Sequence, residues 1–162
     1  MYTLRDNLRN LTGTYVVADK PITLITANSH TVDVPPVYSC PTGEATSPVS
    51  RLGMVHIVPA FVGRAETTGY FFHVVAAYDK TVVIVPPDDT SCVLQRGEEK
   101  FIFMNSPYPT RLVCSERCLV MLYSKSHGAD GVEPAGDIMT LVPSISQTIA
   151  SGWFNTFDNE DR

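Results

Sequence analysis

The apolar residues of this chain come in short bursts separated by turn formers. Val, Ile, Thr and aromatic residues fill the bursts, and these are the side chains that suit a pleated surface. Most bursts have a strand's length, and no window sustains the i, i+3, i+4, i+7 stripe of an amphipathic helix beyond two turns. The pattern predicts strands over 15–17, 22–27, 55–59, 70–78, 81–85, 92–94, 100–104, 111–114 and 119–123, with a further one over 139–142. A single helical turn is predicted over 2–9, where Thr3 can cap and Arg5, Asp6 and Arg9 form a polar face. The fold class is all-β and antiparallel.

Turn chemistry joins the strands. Only Asp79-Lys80 separates Tyr78 from Thr81, which predicts a two-residue connection without the Gly that primed turns favour. Pro86-Pro87-Asp88-Asp89 stops a strand, because proline has no N–H for a ladder and Asp satisfies turn backbone locally. Gln95-Arg96-Gly97-Glu98-Glu99 reads as a turn with Gly97 at positive φ, and Asn105-Ser106-Pro107-Tyr108-Pro109 breaks the chain again. Four to six antiparallel strands are therefore expected to follow one another from Tyr70 to Lys125 as meander sheets, arranged sandwich-like or as propeller-like blades. In Tyr70-Phe71-Phe72, alternation sets Phe71 on the opposite face, so the strand is buried on both faces or exposes a ring that could anchor a partner. Trp153 and Phe154 are expected to pack on the last strand or on a following module.

A faint internal repeat aligns the stretch from Tyr15 with the stretch from Leu112. Each has an apolar run, a small residue (Ala18, Ser115), an acid–base pair (Asp19-Lys20, Glu116-Arg117) and a second apolar run. The repeat predicts two tight turns with wet charged tips.

At 162 residues the chain fits one domain, or part of a larger one, and no Gly/Ser-rich linker divides it. Its longest connections are 28–52, holding Pro35, Pro36, Pro41, Pro48 and Gly43, and 124–136, holding Gly128, Gly131 and Pro134. Connections of that kind on a β scaffold are where binding function sits. With 12 basic and 17 acidic side chains the net charge is −5, so the chain offers no polyanion-binding surface for nucleic acid. No apolar stretch reaches the roughly 18 residues of a membrane span. The opening MYTLRDNLRNLTG is polar, so Met1 does not begin a secretory signal of the usual kind.

Chemistry-bearing residues are few. Cys40, Cys92, Cys114 and Cys118 allow three complete disulfide pairings; buried free thiols and a zinc site are the competing readings. Cys114 and Cys118 flank a three-residue turn and could bond across it, or each could find a partner in Cys40 or Cys92. No second cysteine or histidine pair accompanies that spacing, so no metal site is expected, and nothing in the sequence asks for a cofactor. No G-x-S-x-G elbow, H-E-x-x-H helix or phosphate-cradling loop occurs, so no enzyme is expected. His56 and His73 lie inside strands, where a histidine faces solvent or makes one core hydrogen bond; His30 and His127 fall in loops. Asp88-Asp89 lacks the spacing of a calcium loop, and the tail Asp158–Arg162 reads as a polar end. Asn10-Leu11-Thr12 is an acceptor triplet for N-glycosylation in a secreted chain.

Three stretches, taken in order, resemble the N-terminal domain of IgG Fc-binding protein and its relatives. Leu11-Thr-Gly-Thr-Tyr-Val-Val-Ala-Asp-Lys-Pro-Ile-Thr-Leu-Ile is similar to the family's strand, small-Asp-Lys-Pro, strand unit, with Asp19, Lys20 and Pro21 at its centre. Phe72-His-Val-Val-Ala-Ala-Tyr-Asp-Lys-Thr-Val-Val-Ile-Val, followed by Leu94-Gln-Arg-Gly-Glu, resembles its paired strands and its turn, with Gly97 and Glu98 as the turn residues. Gly136-Asp-Ile-Met-Thr-Leu-Val-Pro-Ser-Ile-Ser-Gln resembles its most recognisable segment, through Gly136, Asp137 and Pro143. The likeness covers about 11–157. It departs from the pattern at Cys118, where the unit has Pro, and at the connector 106–109.

The resemblance implies an extracellular, secreted or cell-surface adhesion module and part of a longer domain. Its partners would be protein or glycoprotein ligands such as immunoglobulin Fc or mucins, although the family has no compact Fc motif to map onto these residues. A structural spacer presenting neighbouring domains is the alternative, and a hydrolase the more distant one.

Overall fold

A computed structural model of the chain describes residues 2–6, 10–28, 41–61, 69–86, 90–124, 138–149 and 151–152. Among the described residues nine strands follow in order: β1 (Ile25–Asn28), β2 (Thr42–Ala45), β3 (Gly53–Val58), β4 (Tyr70–Ala76), β5 (Thr81–Val85), β6 (Thr90–Leu94), β7 (Glu99–Met104), β8 (Thr110–Tyr123) and β9 (Met139–Leu141). Every pair is antiparallel. The only helical elements among the described residues are 3-10 turns at Val49–Arg51 and Ile145–Gln147. None is long and apolar enough to cross a membrane.

Two predicted strands, 111–114 and 119–123, prove to be the arms of β8. On β3, Val55 faces Val113 but Gly53 faces Cys118, so β8 carries extra residues there and makes an excursion through Ser115, Glu116 and Arg117. The first arm lies between β3 and β5, and the second between β9 and β4. β6 extends the sheet beyond β5, and β7 beyond β4, giving the order β6-β5-β8-β4-β7. The sheet thus folds over at the β8 arch into a curled, sandwich-like half-barrel. A bridge between His56 and Ser144, and the bond from Val142 N–H to Val120 O at 2.9 Å, join β3 to the second arm on that side.

That order is richer than a run of hairpins. β5 and β6 are adjacent in both sequence and space, whereas β4 and β5, joined by residues 77–80, each pair with β8. Lys80 takes the left-handed conformation (φ 57°), and the Thr81 hydroxyl donates to Tyr78 O at 2.7 Å to close the turn.

The inward faces follow the period of two. Tyr70, Phe72 and Val74 of β4, Val83 and Val85 of β5, Ile102 and Met104 of β7, and Leu112, Val120 and Leu122 of β8 form one buried cluster. Each large apolar side chain buried there contributes about 1.5–3 kcal/mol. Tyr70 keeps its hydroxyl satisfied by donating to Thr110 Oγ1 or Tyr108 O, at 2.8 and 2.9 Å. The same burial raises its pKa above the ordinary tyrosine range, with the Thr110 bond opposing.

Four expectations need correction. Residues 2–6 form no helical turn. Residues 15–17 join no ladder; the two-stranded pair begins only at Ile25. The repeat does not fold twice the same way: Asp19-Lys20 is an exposed bend without ladder strands beside it at 15–17, while Glu116-Arg117 lies in the β8 arch. The stretch 28–52, expected to be one long connection, contains β2 and the turn at Val49–Arg51. Trp153 and Phe154 lie outside the described residues.

Candidate binding surface

The ladders sort the connections into two poles. Tyr70 is level with Met104, Phe71 with Tyr123, Tyr123 with Met139, Val58 with Thr110, and Val85 with Thr90. The connections 59–69, 86–89, 105–109 and 124–138 therefore all start and finish at one pole. The Thr42 hydroxyl, 3.9 Å from Met139 Sδ, places the ends of 28–42 there too. Ser124 closes the base of its connection, its N–H bonding Ile138 O at 3.0 Å and its Oγ accepting Ile138 N–H at 2.7 Å. Both stretches expected to bind, 28–52 and 124–136, thus have anchors at this pole, although most of the second lies outside the described residues.

A groove of about 400 Å3 opens at the same pole, lined by Pro86, Phe103, Ser106, Tyr108, Pro109 and Arg111 among others. Tyr108 is 73% exposed at its mouth.

Phe103 continues the groove onto the sheet's outer face. There Phe71 packs against Phe101 (ring centroids 5.1 Å) and Tyr123 (6.1 Å), and His73 lies edge-on to Phe101 (4.7 Å) and tilted against Tyr123 (5.1 Å). All three consecutive aromatics of β4 are therefore buried, Tyr70 and Phe72 in the core and Phe71 beneath this second layer of rings. Phe101 and Phe103 remain 38% and 52% exposed.

The polar end of the ring surface is Glu99. Its Oε1 accepts from Asn10 Nδ2, and its buried Oε2 stands 3.1 Å from His73 Nδ1, within ion-pair range but without hydrogen-bond alignment. Burial, and then the Glu99 charge, raise the Tyr123 pKa, so its hydroxyl stays neutral. Neutral rings with one charged corner suit recognition of a partner's apolar or ring-bearing group.

The opposite pole is made of tight turns. Gly97 has φ 79°, its N–H donates to Ala76 O, and the Glu98 carboxylate accepts Gln95 N–H at 2.7 Å. Gly13 (φ 81°) lies against Gly97 so closely that a Cβ on it would meet the Gly97 carbonyl. Beside them the Arg96 guanidinium sits 4.0 Å above the Tyr15 ring. Of the residues singled out by resemblance, Gly97 and Glu98 therefore shape a turn, and Asp19, Lys20 and Pro21 form an exposed bend. Pro143 leads into the 3-10 turn, while Gly136 and Asp137 lie outside the described residues.

Cys114 and Cys118 form a disulfide, Cys92 is a half-buried free thiol, and Cys40 lies outside the described residues. His56 is a core residue: its Nδ1 is 3.1 Å from Val142 O, a carbonyl within hydrogen-bond range. Nε2 faces Gly53 O (3.4 Å) and Cys118 Sγ (3.7 Å), and burial lowers the ring's pKa. His30, His127, Asp88 and Asp89 lie outside the described residues, among which no three His, Cys, Asp or Glu gather as a metal site.

An antiparallel half-barrel with connections gathered at one pole defines an all-β domain. The chain matches the IgGFc binding protein family over residues 1–161, essentially its whole length, and belongs to that family. No curated protein and no solved structure matches it.

Proposed function

We propose that this chain is a non-catalytic recognition or adhesion module that works outside the cell and binds protein or glycoprotein ligands at its loop-bearing pole. The observation that carries the reading is the convergence of five connections at one pole, beside the Phe103–Tyr108 groove. The sheet holds the ends of those connections at fixed separations, which lowers the ordering cost of association. The disulfide and the family's binding character support the same reading. Candidate ligands are immunoglobulin Fc and mucins.

The test is binding of the immobilised chain to purified IgG Fc and to purified mucin. Tyr108→Ala and Arg111→Ala alter the groove, and Lys80→Ala alters the other pole. Loss of about tenfold or more in affinity on the groove substitutions, with Lys80→Ala unchanged, supports the reading. Equal affinities across the set, or no binding to either ligand, favour the spacer.

A further inference from the structure

We propose that Asn10 carries an N-linked glycan whose first sugars lie on the outer aromatic face of β7 and β4. The inference rests on the extracellular reading above, because this acceptor is modified only along the secretory route.

Asn10 is exposed, its Oδ1 accepts the Thr12 N–H at 2.9 Å, and its Nδ2 meets Glu99 Oε1. Glu99 begins the outward row of β7, and alternation places Phe101 and Phe103 after it on the same face. At the rise of an extended strand, Phe101 stands roughly 7 Å and Phe103 roughly 13 Å further along. Both distances lie within reach of a short oligosaccharide. The C–H face of a pyranose packs on aromatic rings, and its hydroxyl edge needs polar neighbours. Partly exposed rings ending at a carboxylate, with an acceptor amide tied to that carboxylate, supply both from one corner of the sheet.

The chemistry balances at Nδ2. The amide nitrogen attacks C1 of the terminal N-acetylhexosamine of a lipid-pyrophosphate-linked oligosaccharide. The N–C1 bond forms, the C1–O bond to pyrophosphate breaks, and one amide proton passes to a base of the transferase. The second amide proton stays on nitrogen and can keep the bond to Glu99 Oε1. The contact seen in the bare chain thus aims the attached sugar along β7 rather than opposing its attachment.

The full chain, exported from a eukaryotic host behind a signal peptide, is tested first by intact mass and glycosidase release. A glycan removed by either Asn10→Gln or Thr12→Ala is the expected result, and an exported chain bare at Asn10 overturns the proposal. Melting temperature is then compared between glycosylated chain and Asn10→Gln, in the parent and in Phe101→Ser and Phe101→Leu backgrounds. The glycan is expected to raise Tm by about 2–4 °C in the parent, the scale of one good ring contact in a domain of this size, and by less than half of that once the ring is gone. Measuring the glycan's effect within each background cancels any loss from the substitution itself. An equal rise in all three places the sugars elsewhere and overturns the proposal. Binding to Fc and mucin is scored separately. An occupied, ring-dependent glycan on a chain that binds neither ligand leaves this inference standing and removes the recognition reading. A bare Asn10 on a chain that binds does the reverse.

Discussion

Cys114 and Cys118 are bonded through their sulfurs with their Cα atoms 6.5 Å apart, about half the ~13 Å that four residues of extended strand would cover. The bond holds the β8 arch closed and turns one strand into the spine of two layers. Around it Ser115 Oγ accepts Val82 N–H at 2.8 Å and Arg117 O accepts Ala77 N–H at 3.1 Å, so the excursion is tied to β5 and to the turn that follows β4. The arch also sets the loop-bearing pole, because it returns the second arm of β8 to the level from which the first arm started.

Replacing both cysteines by serine is expected to lower unfolding stability by about 2 kcal/mol, the low end for a bridge closing so short a loop. Urea denaturation of the parent and the double variant checks this. A non-reducing peptide map of the folded chain should show the Cys114–Cys118 link with Cys92 unpaired. A transition midpoint that does not move would mean that the arch holds by backbone bonds alone.

His56 makes stability depend on pH. Burial lowers its pKa from the ordinary 6.5, so the unfolded chain takes up this proton more readily than the folded one. The neutral ring's contribution is complete above the unfolded value of about 6.5 and is lost as pH falls through it towards the lower folded value. Stability should fall between pH 7 and pH 5 with a slope from this group of at most about 1.4 kcal/mol per pH unit. Replacing His56→Gln should flatten that slope while lowering stability at pH 7. Parallel pH profiles for the two proteins would assign the dependence to other groups.

Tyr70 gives the opposite dependence. Its raised pKa means that the folded chain holds the phenolic proton more tightly, a contribution present below about pH 10 and lost as pH rises through that range. Tyr70→Phe should cost about 1 kcal/mol at neutral pH and reduce the alkaline loss. Chemical denaturation at pH 7 and pH 10.5 measures both effects.

Gly97→Ala should destabilise by about 1–3 kcal/mol, because φ there is +79° and a Cβ would stand 3.1 Å from the Gly13 carbonyl. Gly13→Ala should cost at least as much, its Cβ being directed into the Gly97 carbonyl. The double substitution should lose less than the sum of the two, since both break one contact. Additive losses in thermal melts would show that the two turns are not coupled.

Much of the architecture could be read from local pattern. Short apolar runs bounded by turn formers marked β4, β5 and β7, and alternation set Phe71 on the face opposite Tyr70 and Phe72, since side-chain period is a property of the strand itself. Gly97 was legible as a positive-φ turn residue for the same local reason. The outer ring surface left a fainter trace in Glu99-Lys100-Phe101-Ile102-Phe103-Met104: apolar residues on both faces of the strand tell of two apolar surfaces but not of which one is core. Asn10 beside Glu99 and Gly13 beside Gly97 had no local signature at all.

The sequence by itself determined an antiparallel β domain, its turns and the family to which its motifs point. Only the tertiary structure decided that 111–114 and 119–123 are arms of one strand, that Cys118 bonds Cys114, and that His56 is a buried core residue. It also decided that the long connections share a pole. The division has one physical cause. Strand and turn propensities act within a few residues, whereas pairing partners, burial and pole are set by non-local contacts, whose closure only the whole chain can satisfy.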